Sequence, residues 1–245
     1  MRNTKWLLSF AVLMFTSPVE AFSGGAVADN QNGTIAGRVR YDGKRPARKV
    51  LKVSVKAEAC HTEPILSEDL VVSEGLGVKW AVVSLKDLGN EKPTRKPDKG
   101  TAVVLDQKNC HFVPHVVLVQ AGQTLRILNS DGILHNVHTK SLRNRPFNRA
   151  MPGMFKQMEV TFARPERIQV KCDAHDWMSA WIVVYDQPYC AVTDSAGSFR
   201  IQDVPPGTYT LEIWHETLGV QRQQVTVKSA EETNAEIVFT EKKAP

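Results

Sequence analysis

The chain predicts an all-β fold, and three observations carry the prediction. Apolar and polar residues alternate with period two in one run after another, and Gly, Asp, Asn and Pro signals punctuate those runs. After the first 21 residues no apolar period of 3.6 residues persists far enough for a substantial helix. A length of 245 residues leads us to expect two domains.

Taken in order, Met1 to Lys5 is basic, Trp6 to Phe15 is apolar, and Val19-Glu-Ala21 offers a small-residue cleavage site. Residues 1–21 therefore read as a secretory signal peptide, too short for a stable bilayer anchor, with a second cut site after Ala28. No later stretch reaches transmembrane length, so the expected mature chain is exported, periplasmic or equivalent. Gly33 to Tyr41 alternates and stops at the turn signal Asp42-Gly43, and Val50 to Val55 repeats the pattern. Val78 to Leu85 is a fuller apolar strand containing Trp80, and Gly89 to Gly100 is a polar, Pro-containing linker. From Thr101, Val116 and Leu118, then Leu125 and Ile127, describe two strands about a Gly122-Gln123 turn. Lys140 to Gly153 reads as an irregular loop, followed by strands at Met154 to Phe162, Arg167 to Lys171 and Ala180 to Tyr185. In Thr193 to Leu211, Gly197 and Gly207 supply turns, while Phe199, Tyr209 and Leu211 face a core.

The formal charge of +5 falls to +4 once residues 1–21, with two positive charges and one negative, are removed. No Lys/Arg run with interleaved aromatics appears, which argues against nucleic-acid binding. The cations Lys140, Arg143, Arg145, Arg149 and Lys156 are bunched, and suit either an acidic docking partner or a solvated loop. There is no phosphate loop, zinc-protease motif, serine elbow or haem-attachment motif, and no carboxylate pair is spaced for acid–base work. The chain does not read as an enzyme.

The most informative stretch is Cys172-Asp-Ala-His175-Asp-Trp-Met178, with a thiol, an imidazole and a thioether at three-residue intervals between two apparent strands. Soft sulfur joined to imidazole selects copper, and a trigonal Cys/His pair needs a second His, with Met as a weak axial ligand. That His is sought upstream, in Asn129 to His138. His135 and His138 are three apart and point to opposite strand faces, so only one reaches the site. His111 and His115 lie about 13 Å apart in an extended strand and cannot share a metal within it, so they read as structural or surface residues.

The Asn-x-Asp…His-Asn-Val segment, with Cys-x2-His-x2-Met at a strand end, resembles the cupredoxins, type 1 copper proteins of the amicyanin/plastocyanin kind, over Thr101 to Gln187. Phe112-x-Pro114 and Val119-x-Ala-Gly122 fit the first half of such a sandwich. The resemblance implies His135, Cys172, His175 and Met178 as ligands of one copper. It also implies Asn136 as the residue tying the two ligand loops together, and the edge of His175 as the electron port. Asp176 departs from the Pro often found there. Met151, Met154 and Met158 read as adaptable packing or, alternatively, as an accessory Cu(I) site. Of the remaining cysteines, Cys60 and Cys110 are the preferred disulfide, leaving Cys190 as a buried thiol. Cys60–Cys190 and Cys110–Cys190 stay open.

The block from Thr193 to Leu211 resembles the closing half of a carboxypeptidase regulatory-like (transthyretin-like) sandwich, whose opening pieces stand at Gly33 to Val39 and Gly77 to Leu85. The expected layout is a signal peptide (1–21), a first half of that sandwich (33–92), a cupredoxin (101–187) inserted into it, and the second half (188–240). The expected function is electron transfer by one mononuclear copper, with redox partner proteins docking near His175. Copper storage or delivery, and a structural or adhesion protein with a vestigial site, are the alternatives.

Overall fold

The structure is a computed structural model describing residues 31–53, 60, 64–88 and 102–240. The expected signal peptide (1–21), the linker from Gly89 to Gly100 and residues 54 and 55 of the second expected strand lie outside the described residues. Sixteen strands and no helix occur among the described residues. They are β1 (Gly33–Asp42), β2 (Val82–Lys86), β3 (Val103–Lys108), β4 (His111–Val113), β5 (Val116–Gln120), β6 (Thr124–Asn129), β7 (His135–Lys140) and β8 (Asn148–Met151). There follow β9 (Gln157–Thr161), β10 (Glu166–Lys171), β11 (Ser179–Tyr185), β12 (Cys190–Val192), β13 (Ser198–Val204), β14 (Gly207–His215), β15 (Gly219–Val227) and β16 (Glu232–Thr240).

Strand partnership divides them in two. β1, β2 and β12 to β16 form sheets ordered β13-β1-β16 and β12-β2-β14-β15, while β3 to β11 form sheets ordered β5-β11-β10-β7-β8 and β4-β3-β6-β9. Each pair of sheets encloses one apolar core, because the strands alternate and place every second residue inward. Ile35, Val39, Phe199 and Ile237 meet Val83, Leu211, Ile213 and Val225 in the first core. Leu105, Phe112, Leu125 and Ile127 meet Val119, Val137, Ile168 and Ile182 in the second.

β14 shows five consecutive buried residues at its end, because its outer face is covered as well. There Trp214 packs with Val82, Val116 and Val183, and its ring stands edge-on to Trp181 at 5.0 Å between centroids. The Arg167 guanidinium lies over the Trp214 ring at 5.1 Å. Glu212 is buried beside it, bonded to Arg167 at 2.6 Å and to Arg222 at 2.6 Å. Burial alone would raise the Glu212 carboxyl, but Arg222, Lys86 and Arg167 outweigh it and hold the group below its ordinary value. The two sandwiches are thus joined by an aromatic pair and a paired charge rather than by backbone alone.

Two expected strands and one expected loop differ from the structure. The run from Val78 begins as a strand only at Val82, because Trp80 has φ +68°, a left-handed conformation that a bulky residue cannot carry through a ladder. The Ala81 amide instead donates to Thr193 Oγ1. Val50 makes only an isolated bridge to Leu66. The stretch expected as loop between Lys140 and Gly153 contains β8, paired with β7, and three of its four residues are exposed, so no alternation marked it.

Candidate metal centre

β7 opens on His135, and β10 and β11 flank the turn that carries Cys172, His175 and Met178. That turn is closed by two backbone bonds, Met178 N–H to the His175 carbonyl (3.0 Å) and Cys172 N–H to the Met178 carbonyl (3.3 Å). The three-residue spacing therefore brings thiol, imidazole and thioether back to one end of the sheet. His135 is brought alongside because β7 is the neighbour of β10 in the same sheet.

His135 Nδ1 and His175 Nδ1 stand 2.9 Å apart, and Cys172 Sγ is 3.7 Å from His175 Nδ1. His135 and Met178 are buried with Cys172, whereas His175 is half-buried as a residue. Imidazole nitrogen and thiolate sulfur ligate first-row ions at about 2.0 and 2.3 Å, so in a trigonal plane they lie about 3.7 Å apart, and two imidazole nitrogens about 3.5 Å. The spacing from Cys172 Sγ to His175 Nδ1 already fits, and the two imidazoles need to part by only about half an ångström. The two imidazoles and one thiol, with Met178 buried in the same core, suit copper.

The surroundings fix these groups. Asp131 Oδ2 accepts His135 Nε2–H at 2.9 Å, which leaves the lone pair of His135 on Nδ1, facing the centre. The same carboxylate accepts the amides of Asn109 (2.5 Å) and Cys110 (2.8 Å). Asn136 links the ligand loops: its Oδ1 accepts Asp173 N–H (2.5 Å) and Ala174 N–H (3.2 Å), and its own amide points at Cys172 Sγ (3.4 Å). Burial pushes the Cys172 thiol up, against the amides of Asn136, Ala174 and His175, which pull it down. Burial, then the adjacent His135 ring, holds the His175 imidazole below its ordinary value, so near neutral pH it offers a lone pair.

Cys60 and Cys110 form a disulfide with a Cα–Cα distance of 5.5 Å. Both sulfurs lie within 4.8 Å of a His175 ring nitrogen. Trp177 closes the same side, its Nε1–H on the Cys110 carbonyl (3.1 Å) and its ring 5.1 Å from that of His175. Cys190 lies on β12 outside the disulfide and is half-buried rather than buried, because its strand pairs on one side only with β2. Met151 and Met158 belong to the core and Met154 is 90% exposed. His138 turns away from the centre to Asp173 (3.0 Å). Gly153 is required where the loops flanking His135 cross, since a Cβ there would stand 1.9 Å from the Gly132 carbonyl oxygen.

Sequence reasoning missed Asp131 and the disulfide's closeness to His175. The signal for Asp131 was an acidic residue four before a ligand candidate, within Asn129-Ser-Asp-Gly.

A family profile described as polysaccharide lyase family 4, domain II, matches residues 170–235, a stretch that runs from β10 into β16 and so touches both sandwiches. No curated protein matches the chain. Among solved structures, the copper-containing nitrite reductase from Thermus scotoductus SA-01 is similar at 21% identity with a TM-score of 0.34, covering 39% of this chain and 25% of that one. This chain thus spans about a quarter of that enzyme's length. A methionine-to-alanine mutant of amicyanin in its Cu(I) form gives 19% identity and a TM-score of 0.31 over 42% of this chain and 98% of its own. A purple cupredoxin from Nitrosopumilus maritimus gives 16% and 0.29 over 34% and 99%. What the structure itself establishes is an all-β protein of paired sheets, with no helix among the described residues long and apolar enough to cross a membrane.

Proposed function

We propose that this is an exported cupredoxin-type electron-transfer protein in which His135, Cys172, His175 and Met178 hold one type 1 copper. The observation that carries the reading is the convergence of His135, His175 and Cys172 at one end of a sheet, with His175 Nδ1 2.9 Å from His135 Nδ1 and 3.7 Å from Cys172 Sγ, and one ligand atom of each residue within 4.8 Å of the other two. When bound, copper supplies one-electron chemistry between Cu(I) and Cu(II). The residues supply everything else. Asp131 fixes the His135 ring, Asn136 holds the Cys172 loop against β7, and Trp177 with the Cys60–Cys110 disulfide packs against one side of His175. With four protein donors no position is left for a substrate, which favours a carrier over an enzyme.

His175 is the one ligand candidate that is half-buried as a residue rather than buried, and this supports its side as the electron port. The five cations Lys140, Arg143, Arg145, Arg149 and Lys156 are all exposed, as is Leu134 beside His135, at 52%. An acidic redox partner with an apolar centre fits such a surface. Strand partnership supports the inserted arrangement: β1 and β2 pair with β12 to β16, and β3 to β11 pair among themselves. On that reading the cupredoxin (101–187) interrupts a regulatory-like sandwich (33–92 and 188–240).

The test is potentiometry combined with copper exchange. An electron carrier titrates reversibly as a one-electron couple and keeps its copper during hours with excess chelator. Rapid loss of the metal to the chelator in either redox state would move the assignment to storage or delivery.

A further inference from the structure

We propose that Asp69, His115 and Glu216 form a second cation site, for a divalent ion of the zinc type, where the two sandwiches meet. His115 follows β4 in the copper-binding half, and Glu216 sits in the β14–β15 turn of the other half. One donor atom from each of the three residues falls within 4.8 Å of the other two. All three lie among the described residues and none belongs to the centre described above.

The argument rests on His115, which is 1% exposed. Its Nδ1 faces the Ser179 carbonyl at 3.1 Å and its Nε2 contacts a Glu216 carboxylate oxygen. Both partners are acceptors only, and a neutral imidazole has a single N–H. The contact therefore needs a proton shared between Nε2 and the Glu216 carboxyl, or one proton on Nδ1 and a cation between Nε2 and the carboxylate. A histidine whose Nδ1–H is spent on a backbone carbonyl while Nε2 points at a carboxylate is oriented as metal-binding histidines are.

The partners are also prepared. Glu216 Oε2 accepts Trp181 Nε1–H at 2.8 Å, leaving Oε1 for the shared position. Thr217 Oγ1 donates to the Asp69 carbonyl at 2.6 Å, and the Asp69 amide donates to Ser67 Oγ at 3.1 Å, so the Asp69 loop is tied to the Glu216 turn. Zinc binds imidazole nitrogen and carboxylate oxygen at about 2.0 to 2.2 Å, which puts tetrahedral ligand atoms about 3.4 Å apart, so the direct His115–Glu216 contact opens to admit the ion. Asp69 is exposed, which gives the ion an entry path and leaves a fourth position to water. Such an ion would clip the two halves together.

The test uses Zn2+ alone on the full chain carrying His135→Ala and Cys172→Ser, so that failure of the copper reading does not affect the result. Competition with a chromophoric chelator should count one equivalent of Zn2+, and the melting temperature should rise with added Zn2+. Asp69→Asn, an exposed change that leaves the fold alone, should weaken binding at least tenfold, and His115→Gln should abolish it together with the thermal shift. If the double variant binds no Zn2+, or binds it equally well after Asp69→Asn and Glu216→Gln, the site does not exist and His115–Glu216 is an ion pair only.

Discussion

Asp131→Asn isolates the contribution of the surroundings of the proposed copper site from that of the proposed ligands. The Asp131 carboxylate accepts three N–H groups, from His135 (2.9 Å), Cys110 (2.8 Å) and Asn109 (2.5 Å). An amide of the same shape has one acceptor oxygen, so at least one of these donors then faces an NH2 group. Hydrogen bonds to a charged partner are worth about 1.5–3 kcal/mol, so a loss of about 2 kcal/mol in unfolding free energy is expected. The effect on the metal is larger in proportion: without a fixed acceptor on Nε2 the His135 ring is free to turn or to exchange tautomers, and changes of this type cost about 10–100-fold in affinity. Cu(I) affinity is read by competition with a chromophoric chelator, and stability by urea unfolding of the copper-free protein. A copper affinity within threefold of the parent, in a variant that unfolds with the same midpoint, would refute the role given to Asp131.

Three further outcomes follow from other parts of the molecule. Asn136→Ala removes the acceptor for the Asp173 and Ala174 amides and should cost about 2 kcal/mol, with copper released at least tenfold faster in stopped-flow chelation. Trp214→Ala, at a residue only 8% exposed, should cost about 3 kcal/mol by urea unfolding, and a loss under about 1 kcal/mol would mean the junction contributes little to holding the sandwiches together. Glu166 accepts bonds from Ser141, Leu142, Arg143 and Asn144; burial opposes the shift, but these donors bring its carboxyl from 4.5 down to about 2. A depressed carboxyl adds stability that is complete above pH 4.5 and fades as the pH falls through about 2. Because this group is partly exposed, screening reduces the contribution to about 1 kcal/mol. Glu166→Gln should accordingly lower the melting temperature at pH 6 and converge with the parent near pH 2, and parallel curves would contradict it.

The fold class and the grouping of Cys172 with His175 were legible because the signals are local. Period-two alternation in Gly33 to Tyr41 or Ser198 to Val204 states both strand and inner face. Cys172, His175 and Met178 are placed by a single seven-residue turn closed on itself. What was not legible depends on partners distant in sequence or on backbone that breaks its own pattern. Trp80 sits in a run that reads as strand, yet its left-handed φ is set by the packing of the Thr193 segment. β8 carries too few buried residues to show a period, and is held by its pairing with β7. Whether Cys60 joins Cys110 or Cys190 depends on a tertiary distance that spacing does not contain. The His115–Glu216 contact spans 101 positions and two sandwiches. His115, set aside in the sequence because it cannot share a metal with His111, finds its partners on the other half of the molecule.

The central claim is tested most directly by the visible and electron-paramagnetic spectra of the protein with one equivalent of Cu(II), beside its Cys172→Ser variant. The account predicts an intense thiolate-to-copper charge-transfer colour with narrow copper hyperfine splitting, both lost in the variant. A colourless protein, or ordinary tetragonal copper in parent and variant alike, would contradict it.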